Sequence, residues 1–330
     1  MPARILIPVD NQECSEAAVQ SVMARIWEPD TEFLLCKVVE DFSALLEPDL
    51  LSHIEVLEAE QEDYRCQMRL WLNELTDTFS KVHPQVVSRL EFGNVTKKIC
   101  EVAYGWGADY VVLGSHDLEQ ASRCALGSIA SSVLKNAPCS VEAVRSRQLR
   151  KLFQQKDTVS IDEIKMLITV PPRRVLIATD LSPEAECAIA WVNEQDWDKT
   201  TEFRIVTVAA PSHLEHRSHW FSTGSLYTKE AQHLREIAAK LKTQAKNVAD
   251  RHGYACVEAD VITEESPVDA LINLADEWQA ELVVAGARGA NRHPDSRAGS
   301  TCVSVLDRLH CSMIAVQSDS PRQVKFSWAH

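Results

Sequence analysis

A glycine spacing occurs twice in this chain, in copies 172 residues apart, and it constrains the fold more than any other feature. Gly286-Ala287-Arg288-Gly289 is followed by nine residues and then Gly299-Ser300. Gly114-Ser115-His116-Asp117 is followed by nine residues and then Gly127-Ser128. Each copy follows a short apolar run, 110–113 or 282–285, and each precedes a helix-like segment that leads to a Cys and a second apolar run, at Cys139 or Cys311. A glycine loop between a buried strand and a helix N-terminus lets backbone amides face an anion.

The duplication extends across both halves. Arg4-Ile5-Leu6-Ile7-Pro8-Val9-Asp10 corresponds to Arg174-Val175-Leu176-Ile177-Ala178-Thr179-Asp180. Ala-rich helical stretches follow at 17–27 and 185–192, then apolar runs at 33–39 and 203–209, continuous enough to be strands covered on two faces. Amphipathic stripes come next, Ile54, Leu57, Tyr64, Met68, Trp71 and Leu75 in one half and Leu234, Ala238, Leu241, Ala245 and Val248 in the other. Third strands are expected at 85–92 and 255–262, with helices at 95–104 and 268–276. Trp106 and Trp278 hold equivalent places. Strand and helix alternate throughout, so the expected fold class is α/β: two tandem five-stranded parallel-sheet sandwiches with flavodoxin-like layering. The expected organisation is a first domain over 1–146, a linker over 147–172 and a second domain over 173–319. Within the linker, Ser160 and Glu163 form a capping-box pattern for a short helix over 159–166.

In such sheets ligands bind outside the carboxyl ends of the strands, where strand order reverses. Asp10, Asp180 and both glycine loops fall at such ends. The 330 residues suffice for two domains, and 45% hydrophobic with 25% charged residues describes a globular chain. A net charge of −14 argues against non-specific nucleic-acid binding. No apolar run reaches the length of a membrane span, and the N-terminus lacks the order of a secretory signal, so a cytoplasmic protein with reduced thiols is expected. The ten cysteines include no Cys-x-x-Cys, so no zinc or thioredoxin-type motif is expected. His213, His216 and His219 cluster, but Arg217 intrudes and a surface loop is the expected reading.

These residues resemble the universal stress protein family in its tandem form. The family's motif Gly-x2-Gly-x9-Gly-Ser/Thr is matched completely at 286–300. Gly127-Ser128-Ile129-Ala130 through Ala137-Pro138-Cys139 resembles the family's ending, and Ile7-Pro8-Val9-Asp10 its first strand. The resemblance implies binding of ATP or another adenine nucleotide, with or without Mg. It implies that Asp180 and Val208 line the adenosine end. Gly286, Ala287, Arg288, Gly289, Gly299, Ser300 and Thr301 would hold ribose and phosphates. The counterparts in the first half are Asp10, Val38, Gly114, Gly127 and Ser128, and they are expected to be weaker. The resemblance also implies that the domains pair through their last strands, 140–145 and 312–317, within one chain, with a further homodimer open.

The chemistry of the second copy agrees. Gly286 and Gly289 would permit close approach and backbone angles closed to other residues, Gly299 and Ser300 would begin a helix with free amides, and Arg288, Arg292 and Arg297 could form forked phosphate contacts. In the first copy Asp117 replaces the second glycine, with Glu119 beside it and Arg123 opposing. Two like charges at 4 Å repel by about 4 kcal/mol at an effective dielectric of 20, so the first site should be lost or much weakened. No Gly-x4-Gly-Lys-Ser/Thr or Gly-x-Ser-x-Gly is present, and no base or nucleophile stands out, so a binding protein is expected rather than an enzyme. The alternatives are a nucleotide-free interaction scaffold and a slow ATP hydrolase.

Overall fold

A computed structural model of the chain describes residues 2–10, 13–40, 54–114, 128–146, 152, 155, 160–209, 223–253, 257–289, 297–318 and 324–328. The first half runs β1 (Arg4–Val9), α1 (Glu13–Met23), β2 (Arg25–Trp27), β3 (Glu32–Val39), α2 (Ile54–Ser80), β4 (Val86–Phe92), α3 (Val95–Trp106), β5 (Tyr110–Gly114), α4 (Ser128–Asn136) and β6 (Ser140–Val144). After the short α5 (Ile161–Ile168), the second half runs β7 (Arg174–Ala178), α6 (Pro183–Glu194), β8 (Glu202–Ala209), α7 (Thr223–His252), β9 (Glu258–Thr263), α8 (Pro267–Glu277), β10 (Leu282–Gly286), α9 (Ser300–Arg308), β11 (Ser312–Val316) and β12 (Phe326–Trp328).

The strands unite in one ten-stranded sheet of order β4-β3-β1-β5-β6-β11-β10-β7-β8-β9. Every pairing inside a half is parallel, as alternation with helices requires. The halves meet at β6 and β11, which pair antiparallel in the register Ala143 with Met313, Glu142 with Ile314 and Val141 with Ala315. The expected pairing through the last strands is therefore present. It is reinforced symmetrically. The Arg145 amide donates to Ser312 Oγ at 2.9 Å, and the Gln317 amide donates to Ser140 Oγ at 3.0 Å.

Central strands are apolar on both faces because helices cover both: Ile5, Leu6 and Ile7 have no exposed surface. Odd positions such as Ile5, Ile7, Val175 and Ile177 join one apolar layer, and Leu6, Leu34, Leu176 and Val283 join the other. Both layers run through both halves. Helix starts follow their side chains: Asn94, Ser182 and Ser266 each accept from the amide three residues on. The Ser160–Glu163 capping box is formed as expected, with α5 over Ile161–Ile168.

One expectation needs correction. The helix expected over 17–27 ends at Met23, and Arg25–Trp27 is strand. The reason lies at the other end of the chain, beyond the last expected element. Phe326 pairs with Trp27, Ser327 with Ile26 and Trp328 with Arg25, all antiparallel. The strap also grips the second half, where Gln195 Nε2 donates to the Val324 carbonyl at 2.9 Å and Gln195 Oε1 accepts from the Phe326 amide at 2.9 Å.

The duplication extends to a histidine pair. His83 stacks on Phe33 at 4.8 Å between ring centroids, and His252 stacks on Phe203 at 5.9 Å. Burial lowers both pKa values below the ordinary 6.5. The unfolded chain therefore takes up protons first as pH falls, and stability present above pH 6.5 is lost as pH drops below it. Thermal unfolding should show Tm decreasing between about pH 7 and pH 5, and replacing both histidines with Gln should flatten that segment of the profile.

Candidate nucleotide site at the second switch point

The order of the second half reverses between β7 and β10, which lie side by side with Ala178 opposite Ala285. Just beyond their carboxyl ends the chain makes two turns that touch. After β7, Asp180 is held by its own turn: the Ser182 amide donates to Asp180 Oδ1 at 3.0 Å, and the Leu181 amide donates to Thr179 Oγ1 at 3.0 Å. Leu181 between them has φ 60°, a left-handed conformation uncommon for a residue with a side chain.

After β10 comes the glycine loop. A methyl group on Gly289 would lie 2.5 Å from Asp180 Oδ2, so any side chain there would force that carboxylate to shift. A methyl group on Gly286 would meet Ala185 Cα and the Glu184 and Arg288 carbonyl oxygens, each at 3.0 Å. Close approach is thus the reason for both glycines. The further expectation of backbone angles closed to other residues is not met: the described glycines with positive φ are Gly93, Gly107 and Gly253.

The loop is clipped to the start of α9. The Gly299 amide donates to the Ala287 carbonyl at 2.8 Å, and the Ala287 amide donates to the Val316 carbonyl at 2.7 Å. Gly299 is the N-cap, with φ −72° and no side-chain capping bond. Ser300 and Thr301 form the first turn and are exposed, so their amides point outward without an intrahelical acceptor. The first intrahelical bond runs from the Val303 amide to the Gly299 carbonyl at 3.1 Å. Arg288 Nε donates to the Arg297 carbonyl at 3.2 Å, which also accepts from Gln317 Nε2 at 2.8 Å. Asp180, Ala287, Arg288, Gly289 and Gly299 are therefore brought together, with Ser300 and Thr301 at the mouth. Val208 is half-buried near the end of β8, the strand paired with β7. The described part of the site therefore combines two glycines, an uncapped helix start, Arg288 and Arg297 with the Asp180 carboxylate against Gly289. Among the described residues no group of three or more His, Cys, Asp or Glu side chains is arranged to hold a metal.

The sequence profile of the universal stress protein family matches residues 1–145 and again 172–317. The chain belongs to the universal stress protein family. A universal stress protein of Synechocystis is 22% identical over 149 residues, covering 43% of this chain and 97% of the relative. A Staphylococcus aureus relative named as a universal stress protein is 26% identical over 159 residues, covering 46% of this chain and 88% of its own. Such relatives are one-half in length, consistent with two family segments here. Among solved structures, a universal stress protein from Archaeoglobus fulgidus superposes over 95% of this chain and 98% of its own, with TM-score 0.53 and 18% identity. A universal stress protein solved in complex with cAMP matches over 43% of this chain and 96% of its own, with TM-score 0.31 and 18% identity.

In the first half, Gly114 closes β5 and Ser128 opens α4, as expected. The Asp10 amide donates to Ser15 Oγ at 2.9 Å, and Val38 is buried. Lys37 is buried beside them, 6.0 Å from the Trp71 ring centre, and burial lowers its pKa against the opposing pull of Asp10. Gly127, His116, Asp117, Glu119, Arg123 and Cys124 lie outside the described residues, as do Arg292 and the histidine cluster at 213–219.

The sequence reading missed a buried constellation at the junction of the halves. Arg25 and Glu142 are each 2% exposed at the side chain and form a two-pronged pair, Nη1 to Oε2 at 2.7 Å and Nη2 to Oε1 at 2.5 Å. The Tyr110 hydroxyl donates to Glu142 Oε2 at 2.9 Å. Burial, then the neighbouring Glu142 charge, pushes the Tyr110 pKa well above its ordinary value. Arg25 also faces Phe326 at 4.3 Å and Trp328 at 4.8 Å. The available signal was Phe326-Ser327-Trp328 itself, an aromatic alternation of strand period.

Proposed function

We propose that the crevice of the second half binds ATP or a related adenine nucleotide and that the protein acts as a cytoplasmic regulatory module rather than an enzyme. The observation that carries this reading is the contact between Gly289 and Asp180 beside an uncapped helix start at Gly299. In this reading Asp180 and Val208 face the adenosine end. The amides of 286–289 and of the first turn of α9 receive the ribose and phosphates, helped by the helix dipole and by the Ser300 hydroxyl. Arg288 adds charge-assisted contacts. A Mg ion, where present, would rely on phosphate oxygens with Asp180 as the nearby carboxylate. The first half, with Asp10, Val38, Gly114, Gly127 and Ser128, supplies a pairing partner rather than a strong second site, because Asp117 stands where the second glycine belongs.

Isothermal titration of the nucleotide-stripped chain tests this directly. ATP, ADP, AMP and cAMP are the arms, the last because a family member has been solved with it. Saturable heat from one of the four is the expected result. No heat from any of them at about millimolar concentration, the weak end of specific affinity, overturns it. The scaffold reading has one observation in its favour: a carboxylate oxygen, rather than open space, stands over Gly289. Mass spectrometry of small molecules released from natively purified protein separates the two.

A further inference from the structure

A cavity lies at the ends of the second-half strands opposite to the candidate nucleotide site. It has a volume of about 450 Å³ and sits at the starts of β7, β10 and β11, closed on one side by α5 and by the β12 strap. That volume is in the range of small-molecule sites. The chain as a whole is anionic, at −14, yet this cavity is lined by Arg25, Arg145, Arg173 and Arg174 against Glu142 and Glu281. Glu142 is already engaged by Arg25, and Glu281 accepts from the Arg173 amide at 2.6 Å. Arg145 Nη1 donates to the carbonyls of Leu306 and Leu309 at the end of α9, so its charge is set against a helix C-terminus.

Two donors of the residues lining this cavity lack acceptors. Arg25 Nε and Trp328 Nε1 are fully buried, and neither has a hydrogen-bond partner among the described residues. Both residues line the cavity, and they face one another at 4.8 Å. Buried N–H groups are almost always satisfied, and each orphan needs a cause. The Arg25 guanidinium holds Glu142 with its two terminal nitrogens and Ser21 Oγ with Nη2 at 2.8 Å, and its Nε–H is left without an acceptor. Trp328 offers a single N–H from its ring edge. One oxyanion could accept from both, while Phe326, Ile168, Leu282 and Ile314 give the remaining wall an apolar character.

We propose that this cavity is a binding site for a small organic oxyanion, a carboxylate or phosphate carried on an apolar body, held by Arg25 Nε and Trp328 Nε1. The site is independent of the nucleotide reading, since it lies at the other ends of the strands.

The test titrates benzoate, phenyl phosphate and inorganic phosphate into the full chain. It follows the Trp328 indole N–H by nitrogen–proton NMR together with calorimetry. The expected result is a saturable shift of that resonance with benzoate or phenyl phosphate, unchanged by saturating ATP, with the stronger of the two naming the head group. Trp328→Phe keeps an aromatic side chain and removes the donor. It should weaken binding about tenfold, the worth of one charge-assisted hydrogen bond. No saturable shift with any probe overturns the proposal, as does unchanged affinity in Trp328→Phe. Inorganic phosphate binding as tightly as phenyl phosphate overturns the organic part, leaving an ion site only.

Discussion

Replacing Glu142 with Ala should destabilise the protein by about 3–5 kcal/mol, the cost of leaving a buried partner charge uncompensated. That is a large share of the about 5–15 kcal/mol that separates a folded domain from its unfolded chain. The Arg25 guanidinium has 2% side-chain exposure, so its charge is poorly solvated once the carboxylate is gone. The Tyr110 hydroxyl loses its acceptor at the same time. Urea unfolding of wild type and variant measures the difference. The double variant Arg25→Met with Glu142→Leu is the informative control. Removing both charges removes the desolvation penalty, so the double variant should recover most of the loss. A single-variant loss below about 1 kcal/mol, typical of an exposed pair, would show that the junction is wet and the account wrong.

Gly289→Asp should lower nucleotide affinity by about three decades. Two effects combine. The new Cβ would lie 2.5 Å from Asp180 Oδ2, so the Asp180 turn must move. The new carboxylate then stands against Asp180 and against incoming phosphates. At about 4 Å and an effective dielectric of 20 the repulsion is about 4 kcal/mol, and each 1.4 kcal/mol is tenfold. Gly289→Ala separates the two effects, since it keeps the collision and omits the charge, and it should fall between wild type and Asp. Calorimetry with the best-bound nucleotide reads all three proteins. Equal affinity for wild type and Gly289→Asp would place the nucleotide elsewhere.

Much of the fold could be read from the chain because the duplication supplied an internal control. A strand such as Ile5–Val9 gains credibility when 175–179 repeats its pattern and its terminal Asp. The glycine loop was legible for the same reason, whereas the pairing of β6 with β11 was expected from the family resemblance alone. What escaped detection shares a physical cause. The antiparallel contact of Arg25–Trp27 with Phe326–Trp328 joins segments about 300 residues apart, and local periodicity carries no record of such a partner. Nothing in the sequence marks Arg25 and Glu142 as buried, because charged residues are rarely buried unless paired, and pairing is a tertiary fact. Within the site the misreading concerned mechanism: Gly286 and Gly289 are required by neighbouring atoms, not by their dihedral angles.

The strap has a bearing on biosynthesis. Ribosomes deliver the N-terminal half first, and domains generally fold as they emerge. The partner of Arg25–Trp27 is translated only after the second half. Until Phe326 and Trp328 leave the exit tunnel, the guanidinium of Arg25 lacks the aromatic cover it has in the finished molecule, at 4.3 and 4.8 Å. A nascent chain therefore carries an unfinished seam until that segment emerges, and a chain cut between the second half and Phe326 would keep both halves with that seam left open.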